Sequence, residues 1–156
     1  MADDALLDDP LDDFSRHGFA HNDLRFDVLS SGKGPGVIVM PEMPGISPPV
    51  ARFARHVREA GFCVFVPSLF GRDGAVARTK EGVAIFQRTC VQAAFIAAAD
   101  GERPVVHWLR ALAHEVHARC GGRGVGAVGM CFTGNFALSM VLSAPVIAPV
   151  MCQTSL

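Results

Sequence analysis

Short apolar runs alternate with amphipathic stretches along this chain, and glycine or proline marks most junctions. Val37–Met40, Cys63–Val66 and Val125–Val128 are short and rich in β-branched residues. They predict buried strands of a parallel sheet. Val146–Met151 predicts another strand, with Pro149 as an interruption. Between these runs lie helical patterns. Pro48 or Pro49 can open a helix whose stripe is Val50, Phe53, Ala54 and Val57, and Gly61 ends it. A weaker pattern covers Gly82–Ala99 through Val83, Phe86, Val91, Ala94, Phe95 and Ala98. Pro104 opens a better one, with Val105, Trp108, Leu109, Leu112 and Val116 on one side and Gly121-Gly122 at its close. Phe136–Leu142 is apolar enough for a buried helix. Near the N-terminus, Arg16–Ala20 and Leu24–Leu29 flank Asn22-Asp23 as a hairpin. No repeat or linker divides the pattern. It predicts one α/β domain over residues 14–156, with a mainly parallel sheet flanked by helices.

Charge changes this picture only at the start of the chain. Net charge is −1 over 156 residues, but Asp3, Asp4, Asp8, Asp9, Asp12 and Asp13 all fall in the first thirteen. Residues 1–13 therefore read as an acidic, solvated tail, or at most a loosely docked turn. The remainder carries about +5, too mild and scattered for a nucleic-acid surface, though compatible with a small anionic substrate. Five cysteines without a C-x-x-C spacing indicate neither a zinc site nor a disulfide framework. The acidic start lacks the basic and apolar regions of a signal peptide, and no uninterrupted apolar stretch is long enough to span a membrane. A reduced cytoplasm is the expectation, with no membrane, metal or cofactor. The Gly32–Gly36 cluster lacks phosphate-loop spacing, so no nucleotide site is expected.

Candidate chemistry centres on Gly124–Ser143. A β-branched run is followed by Gly129-Met130-Cys131-Phe132-Thr133-Gly134 and then by an apolar helix. Strand, tight glycine turn with a nucleophilic side chain, and helix are the parts of a nucleophile elbow. Such a turn lifts one side chain above the sheet edge at a helix N-terminus, where free N–H groups favour thiolate over thiol. Cys131 is thus a candidate nucleophile for an acyl carbon. The competing reading is a small buried core cysteine.

Three segments together resemble the dienelactone hydrolases, a branch of the α/β-hydrolase superfamily. The first is Glu42-Met43-Pro44-Gly45 after the Val37 strand. The second runs from Gly61-Phe62 into Pro67-Ser68-Leu69-Phe70. The third is the Gly-x-Cys-x-x-Gly of Gly129–Gly134, with cysteine in place of serine as its specific part. The resemblance covers roughly residues 35–150 in the expected order. It implies the N-terminal part of an α/β-hydrolase fold, and hydrolysis of a small ester or lactone through an acyl-enzyme on Cys131. It also implies that Glu42 sits near the thiol and controls its protonation, and that the backbone N–H groups of Met43 and Phe132 receive the oxyanion. Arg72 and Arg78, in a loop near the site, are candidates for holding a substrate carboxylate.

Two departures stand out. Thr133 replaces a glycine of the motif, which implies a looser or differently packed turn. The family's acid and base follow the nucleophile in chain order, yet no Asp, Glu or His follows Cys131. The expectation is a chain truncated at its C-terminal side, without the triad Asp and His. His107, His114 and His117 belong to the Pro104 helix, on the flank of the sheet, and the last two read as surface residues; at i and i+3 they lack a third metal ligand. The alternative to a hydrolase is a non-catalytic truncated α/β fragment or partner-binding module. A thiol sensor based on Cys131 is a fainter third. The sequence gives no oligomeric state.

Overall fold

The computed structural model describes residues 7–97, 101–143 and 145–153. Within them, six strands form one sheet in the order β1-β2-β4-β3-β5-β6: β1 (Ser15–His21), β2 (Leu24–Ser31), β3 (Gly36–Met40), β4 (Cys63–Pro67), β5 (Val125–Met130) and β6 (Val146–Cys152). β1 and β2 form the predicted hairpin, turning at Asn22 with φ 51°, and β2 is antiparallel to β4. The pairs β3–β4, β3–β5 and β5–β6 are parallel. The sheet is therefore mixed at one end and parallel through its centre.

The central strands bury both faces because successive side chains alternate. Ile38, Met40, Phe65 and Ala127 point to one core, whereas Val37, Val39, Val64 and Val66 point to the other. Helix α1 (Pro48–Glu59) covers the second face with Val50, Ala51 and Ala54, and Gly61 follows its end at φ 96°. Helix α3 (Pro104–Cys120) covers the first face. Its Trp108, Leu109, Leu112 and Val116 are fully buried, each worth about 1.5–3 kcal/mol on area grounds. Trp108 packs edge-on to Phe19 and Phe26, and its Nε1–H donates to the Phe19 carbonyl at 3.2 Å. Helix α4 (Gly134–Met140) lies on the same face through Phe136, Ala137 and Met140.

The weak helical pattern resolves differently from the expectation. Helix α2 covers Thr79–Val91, and a separate 3-10 turn covers Ala93–Phe95; Ala98 and Ala99 lie outside the described residues. Gln92 between them is extended (φ −75°, ψ 131°). This break turns Phe95 into the core, where it stacks on Phe70 and Phe136. The α2 stripe does not join the core: Val83 and Phe86 are 53% and 51% exposed. Pro149 lies in an edge strand of the described sheet, the place where a strand accommodates proline.

Part of the acidic N-terminus is visible. Residues 1–6 lie outside the described residues, and Asp9 and Asp13 are bound to α1. Arg55 donates to Asp9 at 2.6 and 2.9 Å and to Asp13 at 2.7 and 2.9 Å, and Arg58 donates to Asp13 at 2.6 Å. Arg55 also holds both carboxyls below the ordinary carboxylate pKa. An acidic stretch that looked solvated is thereby tied to a basic helix face.

Candidate active site

β5 ends at Met130, and the chain turns at once through a 3-10 turn, Cys131–Thr133, into α4. Cys131 takes φ 52°, a left-handed conformation that costs energy for any residue with a Cβ. This is the strained strand-to-helix turn that exposes a nucleophile in an elbow. Glycine at 129 makes it possible. A Cβ there would stand 2.2 Å from the Thr133 carbonyl oxygen and 2.9 Å from the Gly134 Cα.

Thr133, where the sequence implied a looser or differently packed turn, is completely buried and fully bonded, the second of these. Its Oγ1 accepts the Met130 N–H at 2.8 Å. Its one proton faces three carbonyl oxygens, those of Met130 (3.0 Å), Met40 and Pro41 (both 3.2 Å). Met130 sulfur in turn receives the Thr133 N–H, a reciprocal cap. That cap uses neither the Cys131 nor the Phe132 N–H, and the first N–H groups of a helix have no partner within it.

The β3–α1 connection approaches from the other side. It leaves β3 at Met40, passes Glu42, and turns through a cis Met43–Pro44 peptide. The loop after β4 closes on it, and a Cβ on Gly71 would lie 2.8 Å from the Pro44 carbonyl. Phe70 of that loop packs edge-on to Phe132 at 6.0 Å between ring centroids. Met43, Phe132 and Cys131 then line one cavity of about 370 Å³, completed by Thr79, Gly82, Val83 and Phe86 of α2. The exposed stripe of α2 thus forms a wall of this cavity.

The sequence pattern of the dienelactone hydrolase family matches residues 27–151, which holds the sheet from β2 through most of β6 together with the elbow. The chain belongs to the dienelactone hydrolase family. Solved structures of similar fold include a dienelactone hydrolase-like promiscuous phosphotriesterase from metagenomic libraries. It is 22% identical with a TM-score of 0.59, over 85% of this chain and 55% of that one. A protein described as a dienelactone hydrolase from Klebsiella pneumoniae superposes with a TM-score of 0.65 at 18% identity, covering 92% and 60%. A thioesterase domain of the curacin biosynthetic pathway gives 0.58 at 13% identity, covering 92% and 45%. This chain therefore spans between about half and three fifths of the length of these structures. No curated protein sequence matches the chain.

The remaining candidate positions are distributed unevenly. Glu42 is half-buried and adjoins Met43 without itself lining the cavity. Arg72 is exposed and donates to Asp8 at 3.4 Å, toward the N-terminal segment. Arg78 is exposed immediately before α2, next to the cavity residue Thr79. Neither arginine lines the cavity. His107 meets Glu102 at 3.2 Å, His117 meets the Gly122 carbonyl at 3.1 Å, and His114 Nε2 lies 3.2 Å from Ser143 Oγ. All three are on α3, and none lines the cavity that holds Cys131. Among the described residues, no three His, Cys, Asp or Glu side chains form a metal-binding group, and no helix is long and apolar enough to cross a membrane.

Two features of this site were missed in the sequence. One is the bonding of Thr133. A hydroxyl near a helix start can bond nearby backbone, but two of its partners, the Met40 and Pro41 carbonyls, lie some ninety positions earlier. The other is the α2 wall, whose only trace was an apolar stripe too weak for a core helix.

Proposed function

We propose that this chain carries the nucleophile half of a hydrolase acting on small esters or lactones, with Cys131 as the attacking group. The observation that carries the reading is Cys131 at φ 52° in one cavity with Met43 and Phe132. Cys131 Sγ adds to the acyl carbon, and the carbonyl oxygen becomes an oxyanion whose assigned donors are the Met43 and Phe132 N–H groups. The tetrahedral intermediate collapses, the C–O bond to the alcohol breaks, and the acyl group remains as a thioester. In a lactone, the alkoxide stays attached to the acyl chain. Water then adds to the thioester carbon, and the C–S bond breaks to give the carboxylic acid and restore Cys131.

Glu42, beside Met43, is the carboxylate assigned to controlling the Cys131 proton before substrate arrives. Arg78, exposed just before α2, is the loop cation best placed to meet an anionic substrate, since Arg72 is paired with Asp8. The second half-reaction needs a base held by an acid. Among the described residues that line the cavity, none is His, Asp or Glu. The five free thiols fit a reducing compartment such as the cytoplasm. Hydrolysis of p-nitrophenyl acetate, compared with Cys131→Ala, tests the reading. A measurable rate lost in the variant is expected, and equal rates would remove the nucleophile.

One observation favours a second reading, a partner-binding rather than catalytic fragment. Edge strand β6 presents Ile147, Val150 and Met151, 46–58% exposed. Such an edge invites self-association. Gel filtration with an apolar dye separates the readings, since a monomer that binds no dye disfavours this one.

A further inference from the structure

Cys63 opens β4 and Cys120 closes α3, and the fold brings them together beside the sheet. The β3–β4 register pairs Gly36 with Cys63. The Cys120 Sγ and Cβ lie 3.5 and 3.6 Å from the point where a Cβ on Gly36 would stand. Partnered residues of adjacent strands project to the same face of the sheet, so the Cys63 side chain rises next to that point. Both side chains pack against the same core, and Cys63 acts on the Cys120 thiol as a near neighbour. A disulfide needs Cβ atoms about 3.5–4.5 Å apart, and two cysteines flanking the one Gly36 position are placed for that approach.

Access and charge fit a reagent as well. Both thiols are half-buried and line a cavity of about 360 Å³, together with Ser15, Ser30 and Arg119. Asp13 also borders it, but is neutralised by Arg55 and Arg58. The Arg119 guanidinium, placed over the Phe65 ring at 5.7 Å, gives the cavity a cation.

We infer that Cys63 and Cys120 form an intramolecular disulfide site, closed by exchange with a low-molecular-weight disulfide that carries carboxylates. The Cys63 sulfur attacks one sulfur of the reagent, whose S–S bond breaks and whose other half leaves as a thiol. Cys120 then gives its proton to solvent, and its sulfur attacks Cys63 Sγ, expelling the second half as a thiol. Two protein thiols are oxidised and one reagent disulfide is reduced to two thiols. Burial, and after it the neighbouring Cys63, push the Cys120 thiol up to about 11. Cys120 is accordingly the second attacker, and the part of that shift due to Cys63 disappears once Cys63 is a mixed disulfide.

The test is incubation of the folded chain with excess glutathione disulfide, alkylation of remaining thiols, and peptide mapping. The expected product is a Cys63–Cys120 cross-linked peptide with no glutathione on either residue. Cys120→Ser should accumulate glutathione on Cys63, and Cys63→Ser should leave Cys120 as a free thiol. The inference is overturned if Cys63 and Cys120 remain free while the exposed Cys90 is modified, or if both keep glutathione without cross-linking. The native chain decides this by itself if a variant fails to fold. The result is independent of any activity at Cys131.

Discussion

Thr133 Oγ1 lies 3.2 Å from the carbonyl oxygen of Met40, and that contact joins the elbow to the strand that leads to Met43. The same hydroxyl accepts the Met130 N–H. One buried side chain thus fixes the turn that aims Cys131 and the loop on the opposite wall of the cavity. Thr133→Val keeps the shape but leaves the Met130 N–H without its acceptor, a loss of about 1–3 kcal/mol. Denaturant unfolding should show that loss, with Thr133→Ser recovering most of it. Iodoacetamide should also distinguish Cys131 less sharply from the other thiols in the valine variant.

Gly129→Ala should be worse than an ordinary strand substitution. The added methyl meets backbone, not a movable side chain, at 2.2 Å. Overpacking of this kind costs about 3 kcal/mol, and the turn must shift to relieve it. Thermal unfolding reads the first effect, and the rate of Cys131 acylation reads the second.

The strand–helix order was legible because each buried strand is a short β-branched run and each good helix begins at proline and ends at glycine. The elbow was legible for a local reason: glycine spacing around Cys131 has few other uses. What escaped reading depended on partners distant in sequence. Asp9 and Asp13 look solvated until α1 brings Arg55 to them. Phe95 looks helical until Phe70 and Phe136 offer it a core. The Thr133 hydroxyl reaches carbonyls some ninety positions earlier, which no local pattern encodes.

Acid should loosen the N-terminal segment before the core. Hydrogen bonds from Arg55 hold Asp9 and Asp13 below their ordinary value of 3.8, burial opposing; the Leu11 N–H adds to the effect at Asp9 and Arg58 at Asp13. Folded-state values below unfolded ones mean stabilisation that is complete above 3.8 and lost as pH falls through the depressed values. Hydrogen exchange at the amides of residues 9–14 should accelerate in that window while α3 stays protected. Arg55→Ala should produce the same loosening at neutral pH, at about 1–2 kcal/mol for a partly exposed network.

Phe86 and Val83 lie half-exposed on the cavity wall and outside the core. Phe86→Ala should therefore leave stability within about 0.5 kcal/mol. It should weaken acyl transfer from p-nitrophenyl butyrate more than from the acetate, by about 1 kcal/mol for the longer chain. Equal losses on both esters would remove α2 from the substrate wall.

The most direct measurement is the position of the acyl group after brief exposure to p-nitrophenyl acetate, read by peptide mapping of the quenched protein. Acetyl should appear on Cys131 ahead of the more exposed Cys90, and lose that preference once the chain is unfolded. Acetylation that simply follows exposure, with Cys90 modified first and Cys131 untouched, would contradict a nucleophile at the elbow.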